Sequence, residues 1–348
     1  MTALTSAPSI RTTARSQCAL CGQLGEPLYT DLEDRLFGVL GKWTLARCSE
    51  RRCSLIWMDP MPIEADLGKA YHSYYTHDDR AAIGPENLLR RAYVAIKRGY
   101  LASRYGYHAG SKRGVSRRLG WLLYLFPIRR GGVDSEVRYL CARPGGRLLD
   151  IGCGSGAWLS DMRDLGWEVR GLDFDAEAVA VAVRRGLEVD HGPLEAQRYP
   201  DESFEAITLN HVIEHLPDPF ATLAECRRIL KPGGHLMVVT PNSASFGHQL
   251  FKEAWRGLEP PRHLHLFCPS SMRAGLERAG FSQFEVRTVN SDYLLMHSLG
   301  LWARLAEPGR QLPMGLKVVS HLLTMLEQAM LVARPEVGEC LVVQAPKP

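Results

Sequence analysis

The chain has 348 residues, 45% of them hydrophobic and 23% charged, with a formal net charge of +4. This is the balance of a soluble globular protein; the chain shows no internal repeat or low-complexity tract, and its length allows one large core plus a smaller module. The N-terminus lacks the apolar core of a signal peptide, and no apolar run is expected to cross a bilayer, which points to the cytoplasm and to nine reduced cysteines.

In chain order, residues 1–17 are polar and unpatterned and read as a frayed end. Residues 18–62 read as a small cysteine module. Cys18-Ala19-Leu20-Cys21-Gly22 is answered by Cys48 and Cys53, with a β-rich stretch between the pairs. Two such pairs suggest a four-thiolate zinc ribbon, because a module this small needs the folding energy of a tetrahedral metal. The second pair is spaced by four residues instead of two, so cysteines that merely pack are the alternative.

Residues 63–133 read as a helical, basic linker or lid. Tyr71, Tyr74 and Tyr75 open it, and from Asn87 to Val133 there are eleven Lys or Arg and no acid. Such a block implies an anionic partner. Within it, Gly120-Trp121-Leu122-Leu123-Tyr124-Leu125-Phe126-Pro127 is apolar and lies between Arg117-Arg118 and Arg129-Arg130. The stretch 113–130 could lie in a membrane interface, could cover a substrate with its arginines on a diphosphate, or could pack on the main domain.

The main domain is expected over 134–348. Arg147-Leu148-Leu149-Asp150-Ile151 reads as a strand, Gly152-Cys153-Gly154-Ser155-Gly156 as a tight turn, and Ala157 to Leu165 as a helix. Strand, glycine turn and helix form the unit in which backbone N–H groups face a bound ligand. Gly152, Gly154 and Ala157 also satisfy the relaxed dinucleotide fingerprint. Asp150 separates the two readings, because a carboxylate at the strand tip repels a pyrophosphate and suits a cationic ligand. A second strand ends in Asp173-Phe174, the fourth expected strand in Asn210, and Asp218-Pro219 caps a helix ended by Lys231-Pro232-Gly233-Gly234. Residues 281–290 and 338–344 read as the last two strands. Residues 291–337 read as an inserted set of apolar helices: a lid, a dimer surface or the site of an apolar substrate.

Asp150-x-Gly152-x-Gly154-x-Gly156 with these following blocks resembles the class I S-adenosylmethionine-dependent methyltransferases. The resemblance implies an α/β, Rossmann-like doubly wound sheet with an antiparallel last strand. It implies that Asp150, Gly152, Cys153, Gly154 and Gly156 hold the methionine part of the donor. Asp173 would accept the ribose hydroxyls, Phe174 and Leu194 would enclose the adenine, and Asn210 would border the same pocket. The cysteine module ahead of this domain is similar to a subgroup that includes sugar C-methyltransferases, which implies that the tyrosines cover the donor. The segment Asn210-His211-Val212-Ile213-Glu214-His215 resembles one that binds a divalent cation in some ubiquinone-pathway O-methyltransferases. Here Asn210 replaces the first acid, which favours capping and packing.

Methyl transfer requires in-line placement of the acceptor and, for an alcohol or carbon acid, removal of its proton. Histidine suits that task. His263 and His265, in the segment after the fifth strand, are the leading candidates, with His211 and His215 beside them. The acceptor is expected to be a small or carrier-linked molecule, anionic in character, such as a nucleotide sugar, a glycan or a lipid-linked intermediate. Nucleic acid is the weaker alternative, because no Asn-Pro-Pro-Tyr follows the fourth strand. A non-catalytic donor-binding module and a homodimer also remain open.

Overall fold

The computed structural model describes residues 10–71, 88–107, 117–305 and 313–348. Tyr74, Tyr75 and residues 113–116 of the basic stretch lie outside these. The chain divides into two compact units: Met1–Tyr74, His211–Ala224 and Val238–Val343 in the first, and Tyr75–Asn210, Glu225–Met237 and Gln344–Pro348 in the second. This division differs from the expected boundaries near residues 62 and 133.

Seven strands form the main sheet: β1 (Arg147–Ile151), β2 (Glu168–Asp173), β3 (Val189–His191), β4 (Phe204–Asn210), β5 (Leu230–Pro241), β6 (Glu285–Val289) and β7 (Cys340–Pro346). Their order is β6-β7-β5-β4-β1-β2-β3. β1 pairs in parallel with β2 and β4, and β2 with β3. β7 runs against β5: the Lys347 N–H donates to the Gly234 carbonyl at one end and the Asn242 N–H to the Glu339 carbonyl at the other. The expected antiparallel last strand is therefore present. Leu148 and Leu149 of β1 are fully buried, as a strand covered on both faces requires.

In the second unit, α1 (Ala157–Asp164) follows β1 and α2 (Ala176–Arg184) follows β2. Asp175 caps α2, its carboxylate accepting from the Glu177 and Ala178 N–H groups.

In the first unit, strands Gly25–Leu32, Trp43–Cys48, Ile56–Met58 and His265–Leu266 form an antiparallel sheet in that order. The cysteine module therefore takes its fourth strand from a segment two hundred residues further on. Trp43, Leu45, Ile56 and Met58 share a core with Trp255, Leu258, Leu266, Leu295 and Leu299. α3 (Pro219–Ile229) starts where expected, with Asp218 accepting from the Phe220 and Ala221 N–H groups.

The expected insertion contains α4 (Asp292–Trp302) and α5 (Met314–Ala333). α5 corrects the expectation that no apolar run is long enough for a bilayer: its 20 residues suffice by length and composition. Its polar side is turned inward. The Thr324 hydroxyl donates to Asp292, and Glu327 accepts the Glu339 N–H at 2.8 Å. Burial, and after it the Glu339 carboxyl, pushes the Glu327 carboxyl up to about 9. Val318, Leu322, Met325, Leu326 and Val332 face outward.

Candidate functional site

The glycine turn after β1 is built as its residues dictate. Gly152, Gly154 and Gly156 all have positive φ, between 54° and 72°, a region a side chain rarely adopts. At Gly156 a Cβ would also lie 2.4 Å from Leu187 Cδ1. The Cys153 thiol points into a small core with Leu159, Ala182 and Leu187, so only the backbone of Cys153 is turned to other use. Asp173, at the end of β2, is buried and holds the turn: Oδ2 accepts the Gly154 N–H at 2.7 Å, and Oδ1 accepts the Asp175 N–H. Burial pushes its carboxyl up despite these donors. Phe174 is 48% exposed beside it, while Leu194 is buried at the start of a short helix.

Asp150 departs from expectation. It is fully buried and is not an isolated negative charge at a strand tip, because Arg138 donates to its Oδ1. The Thr208 hydroxyl donates to the same oxygen at 2.7 Å, and Arg138 reaches Thr208 at 3.0 Å. The Arg138 guanidinium lies 3.7 Å from the Trp158 ring centroid. The simple electrostatic argument is thereby corrected: Arg138 stands against the carboxyl as its counter-charge, and burial pushes the Asp150 carboxyl up in spite of it. Oδ2 is left buried with no hydrogen-bond partner among the described residues. Neither Arg138 nor Thr208 sits in a recognisable motif, and sequence reading missed both.

In the first unit a second cluster surrounds Glu214, which is fully buried. Its Oε1 lies 3.3 Å from His211 Nδ1, and its Oε2 accepts from the Thr240 hydroxyl at 2.9 Å. Burial raises this carboxyl, but His211 and, more distantly, His215 and His263 outweigh it and hold Glu214 at about 2. His211 follows the last residue of β4 directly. Its φ of 55° is a strained backbone for a non-glycine residue, and its side chain is 43% exposed. Burial lowers its imidazole, while Cys340 and Glu214 outweigh that and raise it to about 10.

His215 Nδ1 lies 3.0 Å from the Arg262 carbonyl and 2.8 Å from the Tyr71 hydroxyl. A carbonyl can only accept, so this contact fixes the proton on Nδ1. Glu214, His215 and His263 bring one ligand atom each within 4.8 Å of one another, a spacing that could hold a cation.

His263 and His265 are placed differently from expectation. Both are buried, and burial lowers each to about 4. His263 Nδ1 faces the Gly257 carbonyl at 2.7 Å, and His265 Nδ1 faces that of Leu216 at 3.1 Å. His265 is also a strand residue paired with Trp57. The segment is fixed by Arg262, which bridges Asp34 and Glu259 at 2.9 Å each.

The cysteines converge as expected. Cys18, Cys21, Cys48 and Cys53 bring their sulfurs within 4.8 Å of one another, with Cys18–Cys53 at 3.6 Å and Cys21–Cys48 at 3.3 Å. The four-residue spacer folds into a turn in which the Cys53 and Ser54 N–H groups both donate to the Glu50 carbonyl. The unusual spacing therefore does not separate the thiols.

A family model for a methyltransferase domain matches residues 128–286. The chain is 34% identical over 125 residues to a ubiquinone biosynthesis O-methyltransferase of Burkholderia vietnamiensis, covering 34% of this chain and 52% of that protein. It is 31% identical over 182 residues to the protein of that name from Hahella chejuensis, covering 49% of this chain and 75% of the relative. The chain thus spans about half the length of the first of these relatives and three quarters of the second. A solved S-adenosylmethionine-dependent methyltransferase from Archaeoglobus fulgidus overlaps with 20% identity and a TM-score of 0.42, over 64% of this chain and 94% of that one. With the strand order, the antiparallel last strand and the glycine turn, the family model and the two curated relatives mean that the chain belongs to the class I S-adenosylmethionine-dependent methyltransferases.

Proposed function

We propose that this enzyme methylates a hydroxyl oxygen of a small or carrier-linked organic acceptor. The donor would be held in the second unit. The positive-φ turn offers bare backbone at Gly152, Cys153, Gly154 and Gly156, and Asp173 retains lone pairs beyond its two backbone donors for ribose hydroxyls. The unpartnered Asp150 Oδ2 is left to accept a hydrogen bond from the donor's methionine end. Phe174 and Leu194 would flank the adenine and Asn210 would border it. Bound S-adenosylmethionine supplies an activated methyl group on a sulfonium, so the chain's own task is to orient the acceptor and take its proton.

The observation that carries the oxygen-acceptor reading is Glu214. A fully buried carboxylate beside a half-exposed histidine makes an acid–base pair: Glu214 Oε1 lies 3.3 Å from His211 Nδ1, and the neutral imidazole would take the acceptor's proton. His211 therefore replaces His263 and His265 as the proposed base, and those two become positioning residues. The names of the relatives support O-methylation over C-methylation. A nucleotide sugar, glycan or lipid-linked acceptor remains within this reading. Labelled methyl transfer to a panel of small phenols and sugars, beside RNA and DNA, tests it. Transfer to oxygen is expected; product formed only on carbon or on nucleic acid would sink the reading.

The four cysteines are proposed to hold one structural zinc, since four thiols at these separations match a tetrahedral site. Elemental analysis is expected to find one zinc per chain, reduced at least by half in Cys21→Ser and accompanied by a lower Tm. Metal-replete protein free of zinc would refute it.

A further inference from the structure

The stretch Arg117–Glu136 is built with its apolar residues turned outward. It runs through a short helix (Arg117–Gly120), a 3-10 turn (Trp121–Leu125) and a second helix (Pro127–Glu136). Two residues pin it to the helix Leu88–Arg104 or the core behind it. Gly120 packs so closely that a Cβ would lie 2.3 Å from the Tyr100 backbone nitrogen, and Leu123 is buried. With those two inside, Trp121, Leu125 and Phe126 stand outside, each 59–62% exposed, with Leu119 and Tyr124 beside them. A fold that buries Leu123 has no reason of its own to leave five large apolar side chains in water.

Between Asn87 and Val133 the charge has one sign. Arg118 and Arg129 are exposed, and the Arg130 guanidinium lies 5.1 Å over the Tyr124 ring. No acid occurs between Asn87 and Asp134. Aromatic side chains with a polar edge, aliphatic neighbours and a rim of arginines form the chemistry of a bilayer's headgroup boundary. A second copy of the chain is a poor occupant, because a two-fold interface would set this all-cationic face against itself. Leu119 and Leu125 gain nothing from stacked bases but do gain from acyl chains. We propose that residues 117–130 dock the enzyme on an anionic lipid surface, with Trp121, Leu125 and Phe126 entering the interface and Arg118, Arg129 and Arg130 on the headgroups.

The test is flotation of the full chain with vesicles of phosphatidylcholine alone or with 3:7 phosphatidylglycerol to phosphatidylcholine (about 30% anionic lipid). Binding to the anionic vesicles is expected to exceed that to the neutral ones by about tenfold or more and to fall with added salt. The triple variant Arg118→Gln, Arg129→Gln, Arg130→Gln should reduce it to the neutral level. The variant Trp121→Ser, Leu125→Ser, Phe126→Ser should lose binding to both vesicles. Both variants should bind adenosylhomocysteine as the parent does, which separates a failure here from a failure of the proposed reaction. Equal binding to neutral vesicles, no flotation, or unchanged flotation of either variant would overturn the proposal. So would a dimer that the apolar variant makes monomeric, or displacement of the protein from vesicles by single-stranded RNA at equal charge.

Discussion

Asp150→Ala is expected to cost about 3–5 kcal/mol of folding stability and to lower affinity for adenosylhomocysteine by at least about tenfold. The stability cost follows from Arg138, whose guanidinium is buried against Trp158 and would lose its carboxylate partner. Removing one member of a buried ion pair leaves an uncompensated charge, whereas removing both can be nearly neutral. The double variant Arg138→Met, Asp150→Leu should therefore regain most of the lost stability. If Asp150 Oδ2 is reserved for the donor, calorimetry on the double variant will still find the affinity missing. Recovery of both together would mean that Asp150 acts only as the counterion of Arg138.

This pair also marks the boundary of what sequence could tell. The glycine turn was legible because positive φ restricts residue type, so Gly152, Gly154 and Gly156 announce the backbone they need. The succession of strands and helices along the chain followed from alternating apolar runs and caps such as Asp218, which act over a few residues, whereas the doubly wound sheet was implied only by the family resemblance. Asp150 was found for the same reason, but its electrostatics were misjudged. Its charge is set by Arg138, twelve residues away and outside any pattern, and by Thr208 on a neighbouring strand. The histidines follow the same rule. The His-Leu-His spacing put His263 and His265 forward because both chemistry and local geometry favoured them. What removed them was their burial, and for His265 its pairing with Trp57 and its contact with the Leu216 carbonyl, both distant in sequence. Glu214 was visible as an acid in an apolar context, Val212-Ile213-Glu214-His215-Leu216, and that context was the available signal for a buried charge with partners.

Glu214→Gln is expected to lower kcat/KM for the acceptor by about 100-fold or more, within the range general-base catalysis supplies, while leaving donor affinity unchanged. The pH profile separates this from a structural defect. In the parent enzyme Cys340 and Glu214 together raise the imidazole of His211, so the neutral, proton-accepting form gains population only as pH climbs towards about 10. Activity should therefore increase with pH over the neutral and mildly alkaline range. Gln keeps the size of the side chain and its contact with Thr240 but carries no charge. Without the carboxylate the imidazolium is less favoured, its pKa falls, and the limb should move to lower pH by about one unit or more. The same linkage bears on stability: the Glu214–His211 interaction is fully present below the unfolded histidine's pKa and is lost as pH rises through the raised one. The parent should thus lose stability relative to Glu214→Gln at high pH. His211→Gln should abolish the limb altogether, because the titrating group is gone. A limb that stays in place in both variants would assign the proton transfer to another residue, with His215, whose Nδ1 is already fixed by the Arg262 carbonyl, next in line.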